Sequence, residues 1–188
     1  MRKPSEIKLT KYTLAEILER HLHWLNKDCD GWENMRADLS DANLSDADLR
    51  DANLSNAKLY KANLYNANLY NANLHSTDLS YAELRKADLS YTELSKADLH
   101  DAILSNADLH DAILHNADLC NTNLHGVNLR DADLSYANLH NANLCSTNLH
   151  NANLHGANLY NAYIYNTNLY NANLFNAKTI PYIPLACP

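Results

Sequence analysis

A five-residue unit repeated 28 times without insertion or deletion constrains this chain more than any other feature in it. The array runs from Ala37-Asp38-Leu39-Ser40-Asp41 to Ala172-Asn173-Leu174-Phe175-Asn176. Its centre is Leu in 27 units and Ile164 in the remaining one. Two residues earlier stands Ala in 22 units, with Thr77, Thr92, Thr122, Val127, Thr147 and Thr167 as the small replacements. Between the two lies Asn or Asp in most units, and the two residues after the centre are drawn mainly from Ser, Tyr, His, Asn and Asp.

A period of five fits neither regular structure. On an α-helix five residues advance a side chain by about 500°, so successive Leu would drift by roughly 140° and smear over every side. On a straight strand the odd spacing would place alternate Leu on opposite faces. Within one unit, however, the small residue and the Leu are two apart, which is strand spacing. For every Leu to point inward the chain must turn once per unit, and the two residues after the Leu must make the corner. Asn, Asp, Ser and Gly tolerate or stabilise tight turns, and Gly126 and Gly156 both occupy the second corner position. All four prolines, Pro4, Pro181, Pro184 and Pro188, lie at the ends, so the long middle keeps every backbone donor. A short strand plus a corner, repeated in register, winds into an all-β solenoid with Leu and Ala inside.

Units such as Ala42-Asn43-Leu44, Ala87-Asp88-Leu89 and Ala152-Asn153-Leu154 resemble the A-(D/N)-L-X-X signature of bacterial pentapeptide-repeat proteins, over 140 of the 188 residues. The resemblance implies a right-handed four-sided β-helix with about twenty residues per coil and about seven coils. At a strand spacing of about 4.8 Å the rod would be roughly 34 Å long.

A solenoid leaves an open apolar core at each end and needs caps. Thr13-Leu14-Ala15-Glu16 reads as a capping box opening a helix, with Leu14, Ile17, Leu18, Leu22 and Leu25 on one face and Cys29-Asp30-Gly31 ending the segment. The expected organisation is an N-terminal extension over 1–12, a capping helix and turn over 13–33, the β-helix over 34–177 and a C-terminal tail or cap over 178–188. That tail resembles the junction to further C-terminal sequence in longer family members. No apolar run approaches the roughly 20 residues that span a bilayer, and no apolar stretch follows Met1 to make a signal peptide, so a soluble cytoplasmic protein is expected. Cys29, Cys120, Cys145 and Cys187 are scattered without CxxC pairs, and no disulfide framework is expected.

In the four-sided arrangement residues twenty apart become stacked neighbours, which converts sequence into surface stripes. Residues 37–176 hold 16 Asp and Glu against 7 Lys and Arg, and 134–177 hold no charged residue of these types. Asp78, Asp98 and Asp118 would stack on one face, and Asp88 and Asp108 on the opposite one. The resemblance extends to family members that mimic duplex DNA and inhibit type II topoisomerases such as DNA gyrase. Against this, 34 Å of duplex would show roughly 20 charges, more than twice what this rod carries. His100, Cys120 and His140 would form a column resembling a soft-metal ladder, but outward-pointing side chains on a flat wall converge poorly on one Zn²⁺ at about 2.0–2.3 Å, so no metal or cofactor is expected. Tyr160, Tyr163, Tyr165, Tyr170 and Phe175 ring the uncharged last coils, a surface suited to a homodimer contact. Ile103 and Ile113 replace the usual outward Asn or Asp and are candidate contact points. The net charge of −7 and the absence of a basic stripe disfavour direct nucleic-acid binding. The rod offers no pocket to desolvate a nucleophile. The expected role is therefore non-enzymatic protein binding or scaffolding with an unidentified protein partner, and the alternative is modulation of DNA gyrase by DNA mimicry.

Overall fold

The computed structural model describes residues 1–9 and 11–178. The repeat forms a β-helix whose parallel bridges join residues twenty apart, from Asp38↔Lys58 through Asn158↔Lys178, so four five-residue units complete each turn. Each strand is minimal: only the residue before the central Leu makes a bridge, and a corner follows two residues later.

Hydrogen-bond bookkeeping explains why so short a strand suffices, and the unit Ala97-Asp98-Leu99-His100-Asp101 shows it. Ala97 N–H donates to Leu94 O across the preceding corner, and Asp98 N–H to Thr77 O of the coil before. Leu99 N–H donates to Asp118 O and Asp101 N–H to Cys120 O, both of the coil after. The fifth donor, His100 N–H, has no backbone partner and is met by Asp98 Oδ1 at 3.1 Å. Every N–H of the unit is thus satisfied, as a buried backbone requires. The preference for Asn or Asp before the Leu follows directly, since a side chain ending in oxygen is needed to meet the N–H two residues ahead and the short Asn and Asp place it there with little rotamer freedom to lose.

The corners are closed by a bond from the N–H of the next small residue to the Leu carbonyl, with the second corner residue in the left-handed region at φ of 54 to 61° for every non-glycine. This is the pattern of a type II turn. Asn, Asp and Gly accept that conformation readily, whereas Tyr81, Tyr91 and Tyr136 hold it against steric resistance. Gly156 answers a second demand, because a Cβ there would stand 2.8 Å from the Tyr136 ring of the previous coil.

Inside, the Leu column from Leu39 to Leu154 and its Ala partners are almost wholly buried, apart from the partly buried Ala42 and Ala52 of the first coil. Thr replaces Ala without leaving an orphan hydroxyl: Thr77, Thr122 and Thr147 donate to Leu54, Leu99 and Leu124 carbonyls at 2.7–2.9 Å.

At the N-terminal end, strands β1 (Lys8–Leu9) and β2 (Tyr12–Thr13) pair antiparallel and lead into helix α1 (Leu14–Asn26). The expected capping box is present, with Thr13 Oγ1 accepting from Glu16 N–H and Glu16 Oε2 accepting from Thr13 N–H. Leu14, Ile17 and Leu18 turn toward the core as expected, but Leu22 is 45% exposed and its place is taken by His21, which is fully buried. A polar ring fits there because Nε2 donates to Ser55 O at 3.0 Å while Nδ1 accepts from Ala37 N–H at 3.1 Å. The helix also ends earlier than Cys29, at Asn26, and the left-handed backbone of its cap residue Lys27 (φ 54°) reverses the chain. Arg2 adds one more rung below the first coil by bridging Ala47. Apart from Lys178, which pairs with Asn158, the expected C-terminal tail lies outside the described residues.

Cys29 and Cys120 are free thiols.

Candidate interaction surface

Positions twenty apart fall on one flat face, so the structure can be read as four outward columns of residues preceding Leu and four corner edges. The columns bring the acidic candidates together as the stacking implied. Asp78 bridges Asp98, and Asp98 bridges Asp118; on the opposite face Asp88 bridges Asp108. All five are half-buried. Among the described residues no Lys or Arg forms an ion pair with any of them. Their company is polar and local: Ser80 donates to Asp78, His100 to Asp98 and His110 to Asp108. The short contact of His100 Nδ1 with Asp98 Oδ1, 2.6 Å, holds the His100 pKa above its ordinary value.

Toward the C-terminal end the same columns continue as an amide ladder that begins on the last acids. Asn138 Nδ2 donates to Asp118 Oδ1, Asn158 to Asn138, and Asn128 to Asp108, all at 2.9–3.1 Å. An Asn stacked on an acid gains a hydrogen bond where an Asp stacked on an acid gains only repulsion. The run of acids over 78–118 is thus a local departure from the pattern that stabilises the rest of the rod.

Ile103 and Ile113 depart from it in a second way. They are 38% and 41% exposed and sit on the two faces between the acidic ones. Neither has an oxygen to meet the N–H of the first corner residue, Ser105 or His115, a bond that Glu83 Oε1 and Glu93 Oε1 still make one coil earlier. One turn of the rod, residues 97–116, therefore shows acid, Ile, acid and Ile on its four sides.

The corner edges add aromatic rings that sequence reasoning did not single out. Tyr81 stands edge-on to His100 with ring centres 5.0 Å apart, and Tyr91 stands likewise to His110 at 5.1 Å. Both phenols are about half exposed, and the neighbouring carboxylates, Asp101 for Tyr81 and Asp111 for Tyr91, push their pKa values up. The signal was legible: a ten-residue echo, Ser80-Tyr81 with Ser90-Tyr91 and His100-Asp101 with His110-Asp111, puts equivalent groups on opposite edges. The two edges diverge at Cys120 and Arg130. Beside Arg130 a shallow groove of about 420 Å³ is lined by Tyr91, Asp108, His110, Asp111, Asn128, Arg130 and Asp131.

The expected ladder of His100, Cys120 and His140 is a column whose three donor atoms do not converge. His100 is held by Asp98, Cys120 Sγ lies 3.7 Å from His140 Nδ1, and the His140 ring stacks on Tyr160. Burial pushes the Cys120 thiol pKa up, so it is not a poised thiolate. The C-terminal aromatic candidates occupy all four corners of the last described turn, with Tyr160, Tyr165, Tyr170 and Phe175 each about half or more exposed and Tyr163 on a flat face. Three of them stack nearly parallel on the histidine of the coil before: His140–Tyr160, His150–Tyr170 and His155–Phe175, with centres 5.4–5.5 Å apart. No described helix is long and apolar enough to cross a membrane.

Comparison with known proteins agrees with this geometry. The family model "Pentapeptide repeats" matches in eight copies within residues 37–176. Among solved structures the chain is similar to HetL, a pentapeptide repeat protein involved in heterocyst differentiation regulation in the cyanobacterium Nostoc sp. strain PCC 7120. The two share 31% identity with a TM-score of 0.53, over 75% of this chain and 76% of that one. QnrB1, a plasmid-mediated fluoroquinolone resistance protein, is similar in fold at 20% identity and a TM-score of 0.58, over 78% of this chain and 79% of that one. These likenesses support a right-handed β-helix. No curated protein sequence matches.

Proposed function

Because this chain belongs to the pentapeptide-repeat family, we propose that it is a non-enzymatic protein-binding rod whose contact band lies over residues 77–118. The observation that carries this reading is Ile103 and Ile113, where the repeat exposes an apolar side chain and forgoes the oxygen that would meet a corner N–H. A residue that weakens its own scaffold is better accounted for by a contact than by the fold. The carboxylates of Asp78, Asp98 and Asp118 on one side, and of Asp88 and Asp108 on the other, hydrogen-bonded but not paired with Lys or Arg, suit a partner presenting Lys or Arg around an apolar patch. The ten-residue echo makes the two sides alike, so one partner can seat on each.

The test exploits the repeat itself. Ile103→Asn with Ile113→Asn restores the consensus and the missing acceptors, so the variant remains folded. A partner captured by the native protein and lost by this variant supports the reading. An identical set of captured proteins refutes it.

Modulation of DNA gyrase by DNA mimicry remains the second reading, favoured by the stacked acids that no Lys or Arg neutralises. Supercoiling by purified gyrase, with the protein titrated to tens of micromolar beside Asp78→Asn, Asp98→Asn, Asp118→Asn, decides it: inhibition lost in the variant supports mimicry, and no inhibition by either excludes it. The aromatic ring of the last coils is retained as a homodimer surface, which a monomeric mass at tens of micromolar would refute.

A further inference from the structure

A different cluster, away from the rod faces, has the composition of a metal site. Lys27 N–H donates to His23 O at 2.8 Å, and its left-handed backbone folds the chain back so that Asp28 and Cys29 return to the last turn of α1. His23 Nδ1 then lies 2.7 Å from Asp28 Oδ1, and the ligand atoms of His23, Asp28 and Cys29 all fall within 4.8 Å of one another. A short 3₁₀ turn, Trp32–Asn34, brings Met35 round until its Sδ lies 3.8 Å from Cys29 Sγ. Among the described residues this is the trio of His, Cys and acidic side chains that meets the distance for a shared ion.

We propose that His23, Asp28 and Cys29 bind one Zn²⁺-class ion, with a fourth position open to water. Imidazole, carboxylate and thiolate are the zinc donors, at about 2.0–2.3 Å, and three protein ligands plus water is the open tetrahedral arrangement. Tetrahedral ligands at about 2.0–2.3 Å from the ion stand roughly 3.3–3.7 Å apart, so the His23–Asp28 pair, now at 2.7 Å, opens slightly while Cys29, within 4.8 Å of both, draws in, changes within reach of side-chain rotation. The imidazole and thiolate donors disfavour Ca²⁺ and Mg²⁺, hard cations that take oxygen ligands. Charge balances: the Cys29 thiol releases its proton to solvent, and thiolate with carboxylate neutralise the dication. The Lys27 ammonium, between the helix and Asp28 in sequence, lies over the Trp32 ring at 5.3 Å. The ion would fasten the end of the capping helix to the segment entering the first coil.

The protein's only two tryptophans, Trp24 and Trp32, flank the cluster and report on it. Full-length protein without a histidine tag, demetallated and handled anaerobically, is titrated with Co²⁺ and with Zn²⁺. The expected result is one equivalent bound, a thiolate-to-Co²⁺ charge-transfer band, and a change in tryptophan emission. Cys29→Ser should abolish the band and His23→Ala should weaken binding at least about tenfold, as losing a ligand must cost no less than losing its outer support. Cys120→Ser should change neither, and circular dichroism establishes that each variant is folded. Zinc should raise the thermal midpoint of the native protein and not of Cys29→Ser. Absence of uptake would overturn the proposal, as would uptake that Cys29→Ser and His23→Ala leave unaltered, since the metal would then sit on corner histidines.

Discussion

Replacing Asp78, Asp98 and Asp118 together by Asn should stabilise this protein, although it removes three charges from a surface that would conventionally be called solubilising. Adjacent members of the stack bridge one another directly, giving two like-charge contacts, Asp78 with Asp98 and Asp98 with Asp118. Charges about 4.8 Å apart repel by about 1 kcal/mol per pair in water, and salt screens this further because the side chains are half exposed. Each new amide at 98 and 118 can also donate to the oxygen twenty residues earlier, as Asn138 does to Asp118 at 3.0 Å, for roughly 0.5–1 kcal/mol each. Against this stands the loss of the charged partner of His100, which matters only where that imidazole is protonated. At about pH 8 and low salt the net expectation is about 2 kcal/mol, or roughly 4–8 °C in thermal midpoint for a chain of this size. High salt should shrink the gain by roughly half, leaving the hydrogen-bond contribution. Thermal unfolding followed by circular dichroism at two salt concentrations measures both. A variant less stable than the native protein, or a gain indifferent to salt, would refute the view that this acidic stack opposes folding. The result also conditions the gyrase assay, because lost inhibition in a stabilised variant cannot be ascribed to unfolding.

Three further outcomes follow from the same structure. Ile103→Asn and Ile113→Asn should each stabilise by about 1 kcal/mol by supplying the acceptor that Ser105 and His115 lack, read from denaturant midpoints. Leu104→Ala, at a fully buried centre, should cost about 2–5 kcal/mol, while Leu174→Ala, 40% exposed at the last described turn, should cost under about 1 kcal/mol. His21→Leu should cost about 2–4 kcal/mol, because Ser55 O and Ala37 N–H lose their partner in a buried site. Burial also lowers the His21 pKa below the ordinary 6.5, so the unfolded chain takes up the proton first as pH falls. Its contribution to stability is therefore present above about pH 6.5 and lost on acidification through the lower folded value, a slope that His21→Leu should flatten.

The repeat told its own fold so plainly because every level of the sequence agrees. Spacing puts Ala and Leu on one side, Asn and Asp at the position that must meet a corner N–H, and turn-tolerant residues at the corner. The N-terminal cap was half legible. Thr13 and Glu16 marked its start, but helical periodicity favoured Leu22 for the face that His21 occupies, since no pattern of apolar residues foretells that Ser55 and Ala37 wait there as hydrogen-bond partners. The same blindness hid the meeting of His23, Asp28 and Cys29, which depends on one left-handed residue, Lys27, reversing the chain.

Local sequence was sufficient for the solenoid because its contacts repeat at a constant offset: once the corner geometry is set, residues twenty apart must stack, and Asp78, Asp98 and Asp118 are neighbours by arithmetic. Where contacts do not recur, only the tertiary structure decides. It determined that Asn138 donates a hydrogen bond to Asp118 while Asp98 and Asp78 are met by His100 and Ser80. It determined that the corner histidines stack on Tyr160, Tyr170 and Phe175 or bond to nearby aspartates. Side-chain rotation and the way the chain closes its ends are set by partners distant in sequence, and no five-residue rule contains them.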